Sequence, residues 1–255
     1  MPTIKDEAVI LRHWEFSETS QTAWTLTREH GLLRLLAKGS RRPNSPFSGG
    51  LDALTRGQIV AIIKPAAELA TLTEWDLQEV FWAPRRSLAA HYAGLYMADV
   101  VSQLITDHDP HPRIYEALVL ALRALDDPAP VAATALQLQW AALAEAGYAP
   151  SLDRDARSGG PLAPARTYAF DPSAGGLTED PGSGQPGVWR VRAETVLRLR
   201  QLALGSPPQP PQDPAADERA CRMLAAWIAA VAGAEPRSQA AFLGVIPPSS
   251  TPKKG

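Results

Sequence analysis

The chain has 255 residues, 45% of them apolar and 20% charged, with a formal net charge of −2. It is long enough for one large or two modest hydrophobic cores of ordinary globular type, and its overall charge gives no sign of a polyanion binder, so any cationic footprint has to be local. One cysteine, Cys221, excludes an intramolecular disulfide and a cysteine-built zinc site, while the lack of a long apolar run or an apolar leader points to a soluble, cytoplasmic protein.

The first eighty residues read as β-structure. Glu7–His13 contains the run Ala8-Val9-Ile10-Leu11, and Thr19–Arg28 puts Thr22, Trp24, Leu26 and Arg28 on one strand face. Gly31–Lys38 follows the turn residues Glu29-His30-Gly31. Gln58–Lys64 and Leu69–Leu77 complete a set of five short strands. That number of strands in so short a stretch suggests a closed or nearly closed OB-like barrel.

Between the third and fourth strands lies a basic loop. Arg34, Lys38, Arg41 and Arg42 supply four positive charges before Pro46 with no carboxylate among them. Lysines and arginines bind phosphate with release of counterions, and Gly39 and Ser40 let the backbone come close and offer N–H groups. These four are the leading polyanion contacts; Arg12, Arg28, Arg56 and Lys64 could extend the track. A solvated loop whose charges serve solubility is the competing reading. Trp14, Phe16, Trp24 and Phe47 could stack on bases. Core or rim packing is the stronger reading for Trp24, whereas Phe47, inside the basic loop, is the aromatic placed best for exposed stacking.

Beyond residue 85 the period becomes helical, over Arg86–Ile105, Ile114–Leu125 and Val131–Ala146. Residues 147–190 are rich in Gly and Pro with little periodicity. Two more helices, Ala193–Leu204 and Pro214–Ala232, are split by Pro207, Pro208, Pro210 and Pro211. On the second of them Cys221 reads as a small packed hydrophobe. The tail 247–255 has the composition of a disordered segment. The fold class is therefore α+β: a barrel domain over 1–81, then a helical domain over 82–246 with an irregular insertion at about 147–190. His108 and His111 sit in a helix–helix connection with Pro110 and read as solvated loop. No phosphate-loop, dinucleotide, nucleophile-elbow or zinc-protease motif occurs, and no nucleophile–base set marks the chain as an enzyme.

Several segments together resemble one family. They are Glu7-Ala-Val-Ile-Leu-Arg12, Glu18-Thr-Ser, Thr27-Arg-Glu-His-Gly31, Ala37-Lys-Gly-Ser-Arg-Arg-Pro43 and Gly49-Gly-Leu51. Tyr148-Ala-Pro-Ser-Leu-Asp-Arg154, Phe170-Asp-Pro-Ser-Ala-Gly-Gly-Leu177 and Arg237-Ser-Gln-Ala-Ala-Phe-Leu243 continue the series. In this order and spacing the sequence resembles the RecO family of bacterial recombination mediators. The resemblance implies an OB-fold domain and a helical domain. It also implies binding to single- and double-stranded DNA, strand annealing, a RecR partner, and help in loading RecA onto DNA coated by single-strand-binding protein. An OB-fold RNA-binding or translation-associated module, and an enzyme with an unrecognised site, are the rival readings.

Two further expectations follow from the resemblance. The helical domain of the family receives the acidic, apolar C-terminal tail of single-strand-binding protein, which needs an apolar groove rimmed by cations. Arg190, Arg192, Arg198, Arg219 and Arg222 are candidates for the rim, and Trp189 and Trp227 for the groove; ordinary helix-face arginines beside core tryptophans are the alternative. Arg200, two residues from Arg198, cannot share its face. Many members also carry a four-cysteine zinc knuckle, whose ligand positions fall here on Asp155, Ser158, Glu179 and Gly182. Two carboxylates, a hydroxyl and a glycine are a poor zinc set, so no structural zinc is expected and no cofactor is implied.

Overall fold

A computed structural model describes residues 2–42, 45, 47, 51–64, 67–127, 130–182, 187–205 and 215–246. The expected disordered tail 247–255, the prolines at 207–211 and Pro43, Pro46, Gly49 and Gly50 of the basic loop lie outside these residues. In chain order the strands are β1 (Thr3–Glu15), β2 (Gln21–Thr27), β3 (Gly31–Ala37), β4 (Thr55–Ile62), β5 (Ala70–Val80), β6 (Thr167–Asp171), β7 (Gly176–Glu179) and β8 (Trp189–Arg192). The helices are α1 (Ala83–Arg86), α2 (Leu88–Leu104), α3 (Pro112–Ala124), α4 (Val131–Glu145), α5 (Ala193–Ala203), α6 (Ala216–Ala232) and α7 (Gln239–Val245). They form two compact units, Met1–Val131 with Pro236–Val245, and Ala132–Glu235 with Ile246–Gly255.

In the first unit the five expected strands close into a barrel in the order β1-β2-β3-β5-β4, with β4 returning to β1. Closure depends on the length of β1: Ala8, Val9 and Ile10 pair with β2 on one side and β4 on the other. Strict alternation on β4 buries Thr55, Gly57, Ile59 and Ala61. Ile10, Leu33, Leu35, Ile59, Leu72 and Trp75 fill the interior. Gly57 has to lack a side chain, because a Cβ there would lie 2.3 Å from the Asp76 carbonyl oxygen and 2.8 Å from the Trp75 ring.

The barrel carries its helices on the outside. α2 packs against β1 and α3 against β2, and Val9 and Leu26, a cross-strand pair, are fully buried though they lie outside the barrel core. Ser87 caps α2 by accepting from the Ala90 N–H, and Pro112 opens α3. The connection between them is stitched to the start of β3: the His108 N–H donates to the Leu32 carbonyl at 3.0 Å. Gly31, at φ +69, leaves only 2.1 Å between a would-be Cβ and the Asp109 carbonyl oxygen, so no side chain fits. His108 thus belongs to an exposed connecting loop.

The second unit joins α4, α5 and α6 to a three-stranded sheet in the order β7-β6-β8. This sheet occupies the stretch that the sequence leaves without periodicity. Phe170 on β6 is fully buried, stacked on Trp189 at 5.3 Å and edge-on to Trp227 at 5.4 Å. Gln139 of α4 donates to the Cys221 carbonyl of α6. Cys221 is buried, which pushes its thiol well above the usual range and leaves a packed apolar side chain. The α+β class expected from the sequence holds.

Candidate nucleic-acid interface

Three hydrogen bonds and an ion pair tie the basic loop to the β1–β2 hairpin. The Arg41 N–H donates to the Thr19 carbonyl (3.1 Å) and the Gly39 N–H to Ser20 Oγ (3.2 Å). The Ser40 hydroxyl meets Gln21 Oε1 at 3.1 Å, and Arg41 Nη1 pairs with Glu15 at 2.7 Å. The sequence permits this clasp because Gly39 adopts φ +72 at the end of β3. Lys38, Arg41 and Arg42 are all exposed, and Lys38 and Arg42 have no ion-pair partner among the described residues. Arg34, on β3, pairs with Asp107 at 3.1 Å and lies over the Trp24 ring at 4.9 Å.

The remaining arginines of the expected track are engaged within the molecule. Arg12 makes a bidentate pair with Asp99 of α2, both bonds at 2.7 Å, and Asp99 also accepts from the Ser238 N–H and hydroxyl at the start of α7. Arg28 donates to Glu116 of α3 at 2.8 Å. Arg56 pairs with Glu79 at 2.8 Å and with Glu7 at 3.4 Å. Glu79 also takes both prongs of Arg123 at 2.7 Å. Arg123 and then Arg56 hold the Glu79 carboxyl below its usual range against the contrary pull of burial. Tyr115 lies in the same cleft, its phenol pushed up to about 12, chiefly by burial. Arg12 therefore joins barrel to helix, and Arg56 is spent on barrel carboxylates, one of which Arg123 of α3 shares, instead of standing free. Lys64 is exposed, without an ion-pair partner among the described residues.

Among the aromatic expectations, Phe47 needs correction. Phe47 is only 6% exposed, bridges to Trp75 and belongs to the barrel core, so it is not an exposed stacking residue. Apolar burial drew it inward from a polar loop. Trp24, expected to pack in the core or at its rim, lies half-buried on the outer face, while Ala23 beside it faces the interior. Thr25 and Thr27 can be buried on β2 because their hydroxyls donate to the Leu33 and Gly31 carbonyls. Trp14 stands edge-on to Trp24 at 5.4 Å.

In the second unit Trp189, Arg190, Val191, Arg192, Thr195, Arg219, Arg222, Met223 and Ala226 line a cleft of about 370 Å³. Five of the seven expected residues meet there, with Val191, Met223 and Ala226 as apolar lining. Arg190 pairs with Asp180, Arg219 donates to Thr195 Oγ1, and Arg222 donates to the Ile246 carbonyl. The other two differ from expectation. Arg198 is 3% exposed and locked to Asp217, because its face of α5 turns into the core. Trp227 is buried against Phe170, its indole N–H donating to the Tyr148 carbonyl at 2.9 Å. Arg200 leaves by the other face, to the Leu152 carbonyl and Asp153.

At the knuckle position a carboxylate does the joining. Asp155 Oδ1 accepts from the Arg157 N–H (3.0 Å), the Ser158 N–H (2.7 Å) and the Ser158 hydroxyl (2.9 Å), and Oδ2 accepts from the Glu179 N–H at 3.2 Å. The Ser158 bonds foremost hold the Asp155 carboxyl below its usual range. Ser173, then Arg157, hold neighbouring Asp171 down at about 2. With its oxygens already saturated by donors and Gly182 bare, this set does not fit a structural zinc ion.

The first unit is thus of the closed OB-like barrel class, with Lys38 and Arg42 free of ion-pair partners among the described residues and Trp14 and Phe16 exposed on the adjoining hairpin. The sequence matches the family model described as Recombination protein O N terminal over residues 1–81, and Recombination protein O C terminal over residues 85–240. It is 34% identical over 212 residues to the DNA repair protein RecO of Rhodopirellula baltica, covering 82% of this chain and 78% of that one. It is 31% identical over 236 residues to the DNA repair protein RecO of Anaeromyxobacter sp. strain K, covering 89% and 91%. With that of Myxococcus xanthus the identity is 29% over 229 residues, covering 90% and 92%. The chain belongs to the RecO family of DNA repair and recombination proteins.

Proposed function

We propose that the chain is a recombination mediator without catalytic chemistry. It binds single- and double-stranded DNA, anneals strands and, with RecR, helps load RecA onto DNA coated by single-strand-binding protein. It works in the cytoplasm, associated with the nucleoid; among the described residues no helix is long and apolar enough to cross a membrane. Phosphate capture falls to Lys38, Arg41 and Arg42, with Arg34 beside them and Lys64 as an outlying contact. The observation that carries this reading is the clasp of the basic loop to the β1–β2 hairpin, which presents Lys38 and Arg42 without carboxylate partners among the described residues. The cleft of the second unit is the proposed seat of the single-strand-binding protein tail: acidic residues meet Arg190, Arg192, Arg219 and Arg222, and apolar ones meet Trp189, Val191 and Met223.

The test is single-stranded DNA affinity against salt for the wild type and for Lys38→Ala/Arg41→Ala/Arg42→Ala. The expected result is a steep wild-type dependence and a variant slope shallower by about 1.4–2.1, the share of two to three phosphates on a single strand. A variant with the wild-type slope would remove the loop from the DNA interface and leave it as a protein-binding or solvated surface.

A further inference from the structure

The outer face of β1–β2–β3 gathers aromatic side chains at the hairpin to which the cationic loop is clasped. Strand register sets the arrangement: Arg12 lies opposite Trp24, Trp14 opposite Thr22, and Trp24 opposite Arg34. Arg12 leaves this face for Asp99, so Trp14, Trp24 and Arg34 remain as a contiguous group. Trp14 is 36% exposed and Phe16, one residue past β1, is 60% exposed. Neither contributes to the barrel core, which Trp75, Phe47 and aliphatic residues fill from within.

Scattered exposed apolar residues need no explanation. Here two aromatics two residues apart lie on the hairpin that hydrogen-bonds the loop bearing Lys38 and Arg42. Glu15 and Asp107 each neutralise one arginine of the group, Arg41 and Arg34, and the surplus positive charge comes from Lys38 and Arg42. Aromatic faces beside surplus cations suit a polyanion that also has exposed π-faces. That describes a single-stranded nucleic acid and not a duplex, whose bases are stacked on one another.

We propose that Trp14 and Phe16, backed by Trp24 and Arg34, form a platform on which unpaired DNA bases stack while the 38–42 loop holds the adjoining phosphates. This inference rests on the DNA-binding reading above and adds to it a preference for single strands. Trp24 is a positioning residue, held by Arg34 on its ring and by the edge contact with Trp14.

The experiment compares binding of oligothymidylate, an abasic strand of equal length, and a duplex, by the full chain and by Trp14→Ala/Phe16→Ala. The wild type is expected to bind oligothymidylate about tenfold tighter than the abasic strand, the contribution of a stacked base. The double variant loses that preference with its salt slope and its duplex binding unchanged, while Trp14→Phe retains the preference. Equal wild-type affinity for the two single strands, or a folded double variant that keeps the preference, overturns the platform. Salt-dependent binding of both strands would then leave the phosphate-capture reading standing. Failure to bind any of the three nucleic acids overturns both.

Discussion

The wall of the barrel beneath the helices and the end bearing the basic loop are both rich in arginine, yet they differ in kind. On the wall, Arg12 answers Asp99, Arg28 answers Glu116, and Arg56 and Arg123 share Glu79. At the loop, Arg34 and Arg41 each meet one carboxylate, and Lys38 and Arg42 meet none among the described residues. The first group ties strands to helices; the second leaves charge facing water. A cation seen in sequence therefore counts toward a binding surface only after the carboxylates that the fold brings to it are subtracted. Those carboxylates come from far along the chain, 87 residues away for Arg12 and 88 for Arg28.

The largest effect that could break this contrast is expected at Asp99. Asp99→Ala strands the half-buried Arg12 guanidinium and takes away the acceptor of the Ser238 N–H and hydroxyl, at a cost of about 2–4 kcal/mol. A thermal melt should show the midpoint lowered by roughly 10 °C, with the DNA affinity of the folded fraction unchanged. A wild-type melt combined with weakened DNA binding would instead put Arg12 back among the DNA contacts.

A smaller effect separates engaged from available arginines in the second unit. An acidic peptide with an apolar C-terminus, followed by fluorescence anisotropy, should bind Arg192→Ala about three- to tenfold more weakly than wild type, the worth of one exposed charge-assisted contact. Arg192 is exposed on the cleft rim, whereas Arg198 is committed to Asp217. Undiminished peptide binding by Arg192→Ala would remove the cleft from consideration.

The smallest effect concerns Asp171, whose carboxyl is held at about 2 by Ser173 and Arg157. Its folded value lies below the unfolded value of about 4, so its stabilisation is complete above about pH 4 and fades as pH falls toward 2. Urea midpoints measured across that window should fall less steeply for Asp171→Asn than for wild type. Parallel curves would show that the carboxylate does not couple to folding.

The barrel was legible because its strands alternate; β4 buries every second residue without interruption. The start of β1 was hidden by Lys5 and Asp6, and Asp6 can be buried only because it accepts from the Glu29 N–H and meets His30. Strands β6, β7 and β8 are four or five residues long and separated by Gly- and Pro-rich turns, too short for a period to emerge. Helix α7, with seven residues, escaped for the same reason. At the candidate interface the cationic loop could be read directly from its composition. The burial of Phe47 could not, because its partner Trp75 lies on another strand.

Asp155 changes what the second unit is vulnerable to. A four-cysteine knuckle opens when a chelator removes its metal or an oxidant couples its thiolates. A carboxylate that receives four hydrogen bonds from its neighbours offers neither agent a target, and the lone thiol of the chain, on Cys221, is sealed in the core. A joint of this kind answers to neither metal supply nor redox state, and protonation of its carboxylate is what would loosen it.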